Sequence, residues 1–171
     1  MNLKHITLAL LILPLAAPAV RAADYLQLNV GDYDIFRKNQ KAAQFGAEYR
    51  FDEIEYSLRP MVGAFVTSKG SSYGYAGIDW DVALLPQQLY IVPNFAVGAY
   101  NKDNGKDLGG TLEFRSGIEL DYQFQNAQQV GVALNHISNA GIYNRNPGEE
   151  TVMATYNVPI STIGHWINGA R

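Results

Sequence analysis

His136, Ser138 and Glu150 are the residues of this chain whose types and spacing suit covalent hydrolysis. A serine hydroxyl is a weak nucleophile until a base takes its proton, and imidazole is the usual base. A carboxylate on the second ring nitrogen fixes the tautomer and steadies the imidazolium that forms. His136 and Ser138 stand two residues apart. On a strand that spacing puts them on one face, with Cβ atoms roughly 6.5–7 Å apart. Glu150 comes twelve residues after Ser138, so a neighbouring antiparallel strand could return it to the same level. His-x-Ser alone has little diagnostic value, and a single histidine at a membrane surface is more often an amphipathic surface residue. His5 and His165 lie near the two ends, which leaves His136 as the histidine of the central region.

The elements that must position these residues alternate in twos. From Leu112 to Phe124, Leu112, Phe114, Ser116, Ile118, Leu120, Tyr122 and Phe124 share one face. Glu113, Arg115, Gly117, Glu119, Asp121 and Gln123 share the other. Successive strand side chains point to opposite faces, so this is a strand signal. The same reading gives eight segments, near 24–34, 42–52, 57–67, 72–84, 89–100, 110–124, 128–139 and 150–160. Connections 53–56, 85–88 and 125–127 are short, whereas 35–41, 101–109 and 140–149 are longer; 68–71, which belongs with the longer set by order, is a short exception. Gly, Asn, Asp and Lys fill many of these gaps, as turns require.

A soluble sandwich and an outer-membrane barrel both alternate, but the barrel turns its apolar face to lipid and its polar face inward. The sixth segment keeps its alternation long enough to cross a bilayer at a tilt, beyond the usual soluble strand. The polar face carries Glu48, Asp79, Asp81, Glu113, Glu119 and Asp121 against Arg50, Arg59 and Arg115. A soluble core would not tolerate so many charges. A narrow lumen could, with each arginine pointing inward to meet a carboxylate. The expected fold is therefore all-β: an eight-stranded antiparallel transmembrane β-barrel of the bacterial outer membrane, spanning residues 23–160. Short turns and both termini belong in the periplasm, and the long loops outside.

The apolar parity is free of charge through segments two to six and breaks in the last two. The parity of Val130, Val132 and Leu134 also carries His136 and Ser138, and that of Val152, Ala154 and Tyr156 carries Glu150. Asp32 and Asp34 share the outward parity of segment one where it runs into the first long loop. His136 and Ser138 lie near the outer end of segment seven, and Glu150 begins segment eight at the same level. The three groups are expected to face the outer leaflet, where a lipid is the accessible substrate.

Composition agrees. The chain has 171 residues, 47% hydrophobic and 17% charged, with no cysteine. Without cysteine there are no disulfides, thiolate metal sites or cysteine nucleophile. A net charge of −3 argues against a nucleic-acid partner, which would call for a basic patch. Residues 1–22 read as a secretory signal: Lys4, the apolar run Ile6–Ala17 broken by Pro14, and the closing Val20-Arg21-Ala22. That run is too short to span a bilayer as a helix.

The run Asn135-His136-Ile137-Ser138-Asn139-Ala140-Gly141, followed by Asn146, Gly148 and Glu150, resembles the lipid A 3-O-deacylase family of outer-membrane enzymes (PagL type). Leu112-Glu113-Phe114, Gly131-Val132 and Tyr156-Asn157-Val158-Pro159-Ile160 add to the likeness, which is strongest from about Gly109 to Ile160. The resemblance implies an eight-stranded barrel that hydrolyses the 3-O-linked ester of lipid A in lipopolysaccharide and releases a 3-hydroxy fatty acid. It implies Ser138 as nucleophile, His136 as general base and Glu150 as its support. Asn139 is the first choice for the oxyanion donor, followed by the Gly141 N–H or Asn146. No metal or cofactor is called for, since Ser and His supply the chemistry.

Other readings stay open on sequence: a phospholipase or acyltransferase on the same scaffold, or a structural or adhesive barrel without catalysis. Lys102 and Lys106 are either contacts for lipid A phosphates or part of a solvated loop tip. Tyr33, Tyr100 and Tyr143 are expected as an aromatic rim at the outer interface. The tail 161–171 extends past the resemblance and ends in Arg171, with Trp166 either anchoring it at the interface or leaving it loose. Oligomeric state is not legible.

Overall fold

The computed structural model describes residues 24–36 and 40–169; the expected signal, residues 1–22, lies outside them. Among these residues there are nine strands, and every pairing between them is antiparallel: β1 (Tyr25–Tyr33), β2 (Ala42–Arg50), β3 (Leu58–Thr67), β4 (Ser72–Trp80), β5 (Val82–Leu85), β6 (Leu89–Asn101), β7 (Leu112–Gln123), β8 (Gln129–Ser138) and β9 (Glu149–Pro159). β4 and β5 are one stave interrupted at Asp81, and both pair with β6. The β1–β9 pairing joins the two ends of the series, so the sheet closes as an eight-stave barrel. Closure leaves no sheet edge, which a structure in hydrocarbon requires. At ~3.3 Å per residue and a tilt near 45°, the twelve residues of β7 cross roughly 28 Å, enough for the apolar band of such barrels.

The distribution of side chains is inside-out relative to a soluble sandwich. Leu28, Val30, Phe45, Val66, Phe95, Ile118, Leu120 and Val132 lie exposed on the exterior. Glu48, Arg50, Arg59, Asp79, Arg115, Glu119 and Asp121 are buried in the lumen. The expected pairing of the arginines holds. Arg50 reaches Glu48 at 2.9 Å, Asp79 at 3.1 Å and Glu119 at 2.5 Å. Arg59 meets Asp81 at 3.1 Å, and Arg115 meets Glu48 at 2.9 Å while lying over the Tyr75 ring. Removing one partner from such a set would leave a buried charge uncompensated, which is strongly destabilising.

Toward the extracellular end the lumen is filled by aromatic rings. Here the sequence expectation of an outer aromatic rim is corrected. Tyr33 and Tyr100 are buried inside, 2.9 Å apart at their hydroxyls, and Tyr100 donates to the Lys106 carbonyl. Tyr33 shares its parity with Gln27 and Asn29, which face inward, and Tyr100 shares its own with Ala96 and Asn94. Lys106 is not a loop-tip cation either: it is buried and paired with Asp34. Asp34 has left the outward parity of β1 because its positive φ of 61° turns the chain over the lumen. The Lys106–Asp34 pair and the buried Leu108 fold the 102–111 loop inward as a cap.

The tail forms helix α1 (Ile160–Asn168), and Trp166 on it is exposed. Ile160 N–H donates to the Asp24 carbonyl, tying the start of this helix to the start of β1.

Candidate active site

β8 rises from a tight turn in which Phe124 N–H meets the Gln128 carbonyl at 2.8 Å. Along it Val130, Val132 and Leu134 face outward, and His136 and Ser138 follow on the same face. β9 descends beside it with His136 directly opposite Glu150. His136 Nδ1 lies 3.2 Å from Glu150 Oε1. The imidazole side chain is 44% exposed and the carboxylate 20%, so the ring is open on the lipid side while its partner is tucked beneath. The three residues singled out by type and spacing are thus on one exterior face at the extracellular end. Register brings His136 and Glu150 together; two-residue periodicity adds Ser138.

Gly148 lies against the ring. Its φ is +60°, and a Cβ there would stand 2.8 Å from His136 Cε1. Glycine suits the position twice: it takes the left-handed conformation without strain, and it lets the imidazole stay where it is.

Loop 139–148 is organised by Asn139, which is fully buried. Both hydrogens of its amide are committed, to the Leu108 and Arg145 carbonyls at 2.8 Å each. Its Oδ1 accepts the Gly141 N–H at 3.0 Å, and its own backbone N–H donates to Asn146 Oδ1 at 3.1 Å. The first choice for an oxyanion donor therefore has no donor to spare in its side chain, and the Gly141 N–H is taken as well. Asn146 remains. Because its Oδ1 accepts an N–H, the amide orientation is determined, and its Nδ2 has no protein partner among the described residues.

The cap loop and this loop are tied together. Leu112 N–H donates to the Tyr143 hydroxyl at 3.1 Å, so Tyr143 serves as a brace between loops. Asp107 gathers two cations, Lys102 at 3.1 Å and Arg145 at 3.4 Å. A hydrogen bond from Lys102 and another from the Gly109 N–H hold the Asp107 carboxyl below the usual carboxylate range.

Ser116 is a further hydroxyl at the site, one that periodicity alone does not single out. It faces outward on β7, exposed, directly across from His136. Its signal was a hydroxyl on the otherwise apolar parity of the sixth segment. The register makes a single rung of Phe95, Ser116, His136 and Glu150 across β6, β7, β8 and β9. Phe95 and Phe114 stack at 6.1 Å and 21°, forming an aromatic wall beside Ser116. Among the described residues no group of His, Asp and Glu is arranged to hold a metal ion.

Fold and site together define an integral outer-membrane β-barrel that carries serine, histidine and glutamate on its lipid-facing exterior. The chain belongs to the lipid A 3-O-deacylase (PagL) family, whose sequence profile matches residues 39–159. It is 34% identical over 73 residues to the lipid A deacylase PagL of Pseudomonas aeruginosa, an alignment that spans 42% of this chain and 42% of that relative. Among solved structures, the crystal structure of the outer membrane enzyme PagL superposes with a TM-score of 0.61 at 22% identity, covering 79% of this chain and 99% of that one. Neisserial surface protein A shares the barrel at a TM-score of 0.55 and 12% identity, over 81% of this chain and 97% of that one.

Proposed function

We propose that this protein is a serine esterase that hydrolyses the 3-O-linked acyl chain of lipid A in the outer leaflet and releases a 3-hydroxy fatty acid. The observation that carries the reading is the His136–Glu150 contact on the lipid-facing surface, with Ser138 two residues further along the same face. A structural barrel has no use for a paired histidine and carboxylate facing hydrocarbon, where ionisable groups are costly.

The mechanism follows from the roles the residues can play. His136 Nε2 takes the Ser138 proton as Oγ attacks the ester carbonyl, while Nδ1–H stays directed at Glu150. The resulting oxyanion accepts from the Asn146 amide, the donor the loop leaves free. As the tetrahedral intermediate collapses, the imidazolium gives its proton to the departing sugar 3-oxygen, which leaves as the free hydroxyl. The acyl group stays on Ser138 until water, activated by the same histidine, releases it as the free acid. Glu150 steadies the imidazolium in both halves of the cycle.

The acyl chain has an apolar bed to lie on. Ile118, Leu120, Val132, Leu134 and Val152 are exposed on β7, β8 and β9 on the membrane side of the site. The glucosamine and phosphates stay at the level of the extracellular loops, and the ester falls between.

The test is product analysis. Purified protein incubated with lipid A and phospholipid should remove one 3-hydroxyacyl chain from lipid A and release it as free acid. Phospholipid should be intact, and Ser138→Ala protein should leave both lipids unchanged. Cleavage of phospholipid, or transfer of a chain onto lipid A, would replace this reading with a phospholipase or acyltransferase.

A further inference from the structure

The mechanism uses Ser138 and leaves a second exterior hydroxyl unexplained. Ser116 faces hydrocarbon between Phe114 and Ile118 on β7, and its Oγ has no hydrogen-bond partner among the described residues. A hydroxyl in an apolar surround is unfavourable unless something bonds to it. It is also placed with respect to the chemistry. Ser116 pairs across the β7–β8 ladder with His136, whereas Ser138 pairs with Phe114. Ser116 therefore lies one step deeper into the membrane than the nucleophile and one strand to the side, with cross-strand Cβ atoms roughly 4.5–5.5 Å apart.

The direction of the acyl chain makes that displacement meaningful. A chain whose carbonyl is at Ser138 must run toward the membrane interior, past the rung of Ser116 and His136, to reach Ile118 and Leu134. A hydroxyl on the third carbon follows the carbonyl by two bonds and enters this rung first. The Phe95–Phe114 wall closes one side of the path and Glu150 occupies the other side of His136. Ser116 is thus the one hydroxyl of the rung, on the side of His136 away from Glu150, whose Oε1 meets His136 Nδ1 while Nε2 serves the nucleophile.

We infer that Ser116 is a specificity residue whose hydroxyl bonds the 3-hydroxyl of the scissile acyl chain, so that the site selects 3-hydroxyacyl esters over plain acyl esters. The inference rests on the proposed esterase reading and names the chain class which that site prefers. One hydrogen bond between neutral groups in a partly open groove corresponds to a discrimination of about three- to tenfold.

The experiment compares two synthetic lipid A substrates of equal chain length, one with a 3-hydroxyacyl and one with a 3-deoxyacyl group at the scissile position, in detergent micelles. Wild type should cleave the hydroxylated substrate about three- to tenfold faster. Ser116→Ala should bring that ratio close to unity by slowing the hydroxylated substrate and leaving the deoxy substrate at its wild-type rate. Ser116→Thr, which keeps the hydroxyl, should restore the preference. A general structural fault would slow both substrates alike and leave the ratio unchanged. A ratio near unity in wild type, or a preference that survives Ser116→Ala, overturns the inference while leaving the esterase intact. Wild type that cleaves neither substrate overturns the esterase reading and this one with it. Activity that survives Ser138→Ala but not Ser116→Ala would make Ser116 the nucleophile and overturn both.

Discussion

Gly148→Ala isolates the geometry of the base. The substitution does two things that can be separated. It places an alanine at φ +60°, which costs about 1–2 kcal/mol in the left-handed region. It also puts a methyl 2.8 Å from His136 Cε1, where carbon atoms ordinarily rest about 3.5–4.0 Å apart. The ring must then retreat by roughly 0.7–1 Å, because the methyl is fixed to backbone. The His136–Glu150 contact is already 3.2 Å, so either that bond or the reach to Ser138 gives way. Misplacement by about 1 Å costs about 10²-fold in rate. Gly141→Ala is the comparison. Its φ is +79°, but no heavy atom lies within 4 Å of the added Cβ. Both variants should lose about 1–2 kcal/mol in urea unfolding followed by heat-modifiable gel migration. In initial-rate measurements of chain release from lipid A, Gly148→Ala should fall about 10²-fold in kcat, at least ten times further than Gly141→Ala. Equal activity in the two variants would refute the idea that the missing Cβ makes room for the base.

Other outcomes follow from the same arrangement. His136→Ala should abolish chain release, and Glu150→Ala should retain more activity than His136→Ala, since the carboxylate supports the base without handling the serine proton; lipid A mass spectrometry ranks the two. Asn146→Ala should lose about 10²–10³ in kcat with little change in KM, as removal of an oxyanion donor does. Arg50→Met should destabilise the barrel by about 3–5 kcal/mol in urea titration, because Glu48, Asp79 and Glu119 lose their shared cation, while the exterior site keeps its rate per folded molecule.

Much of the barrel is legible in sequence because a two-residue period survives translation into structure without help from distant contacts. The β7 alternation from Leu112 to Gln123 and the inward arginines are of this kind. So is the outward pair His136 and Ser138, since parity alone decides which face a strand residue takes. The level of Glu150 beside His136 was reached by the same route, from antiparallel order and loop length. Parity fails where strands end. Asp34 keeps its sequence parity on paper, but a left-handed turn carries it into the lumen to meet Lys106. The family resemblance implies Asn139 as the oxyanion donor, yet its hydrogens are spent on carbonyls 31 and 6 residues away. No local pattern reports such partners. Ser116 stood in plain view on an apolar face, and only the β7–β8 register gave it a neighbour worth noticing.

The central claim is that Ser138 is a nucleophile activated by His136 on the lipid-facing surface. A long-chain alkyl fluorophosphonate, presented to the protein in outer-membrane vesicles and located by peptide mass spectrometry, tests it directly. The phosphonyl adduct should appear on the peptide carrying Ser138 in wild type and be absent in His136→Ala. An adduct on a different serine, or full labelling of Ser138 without the imidazole, would contradict it.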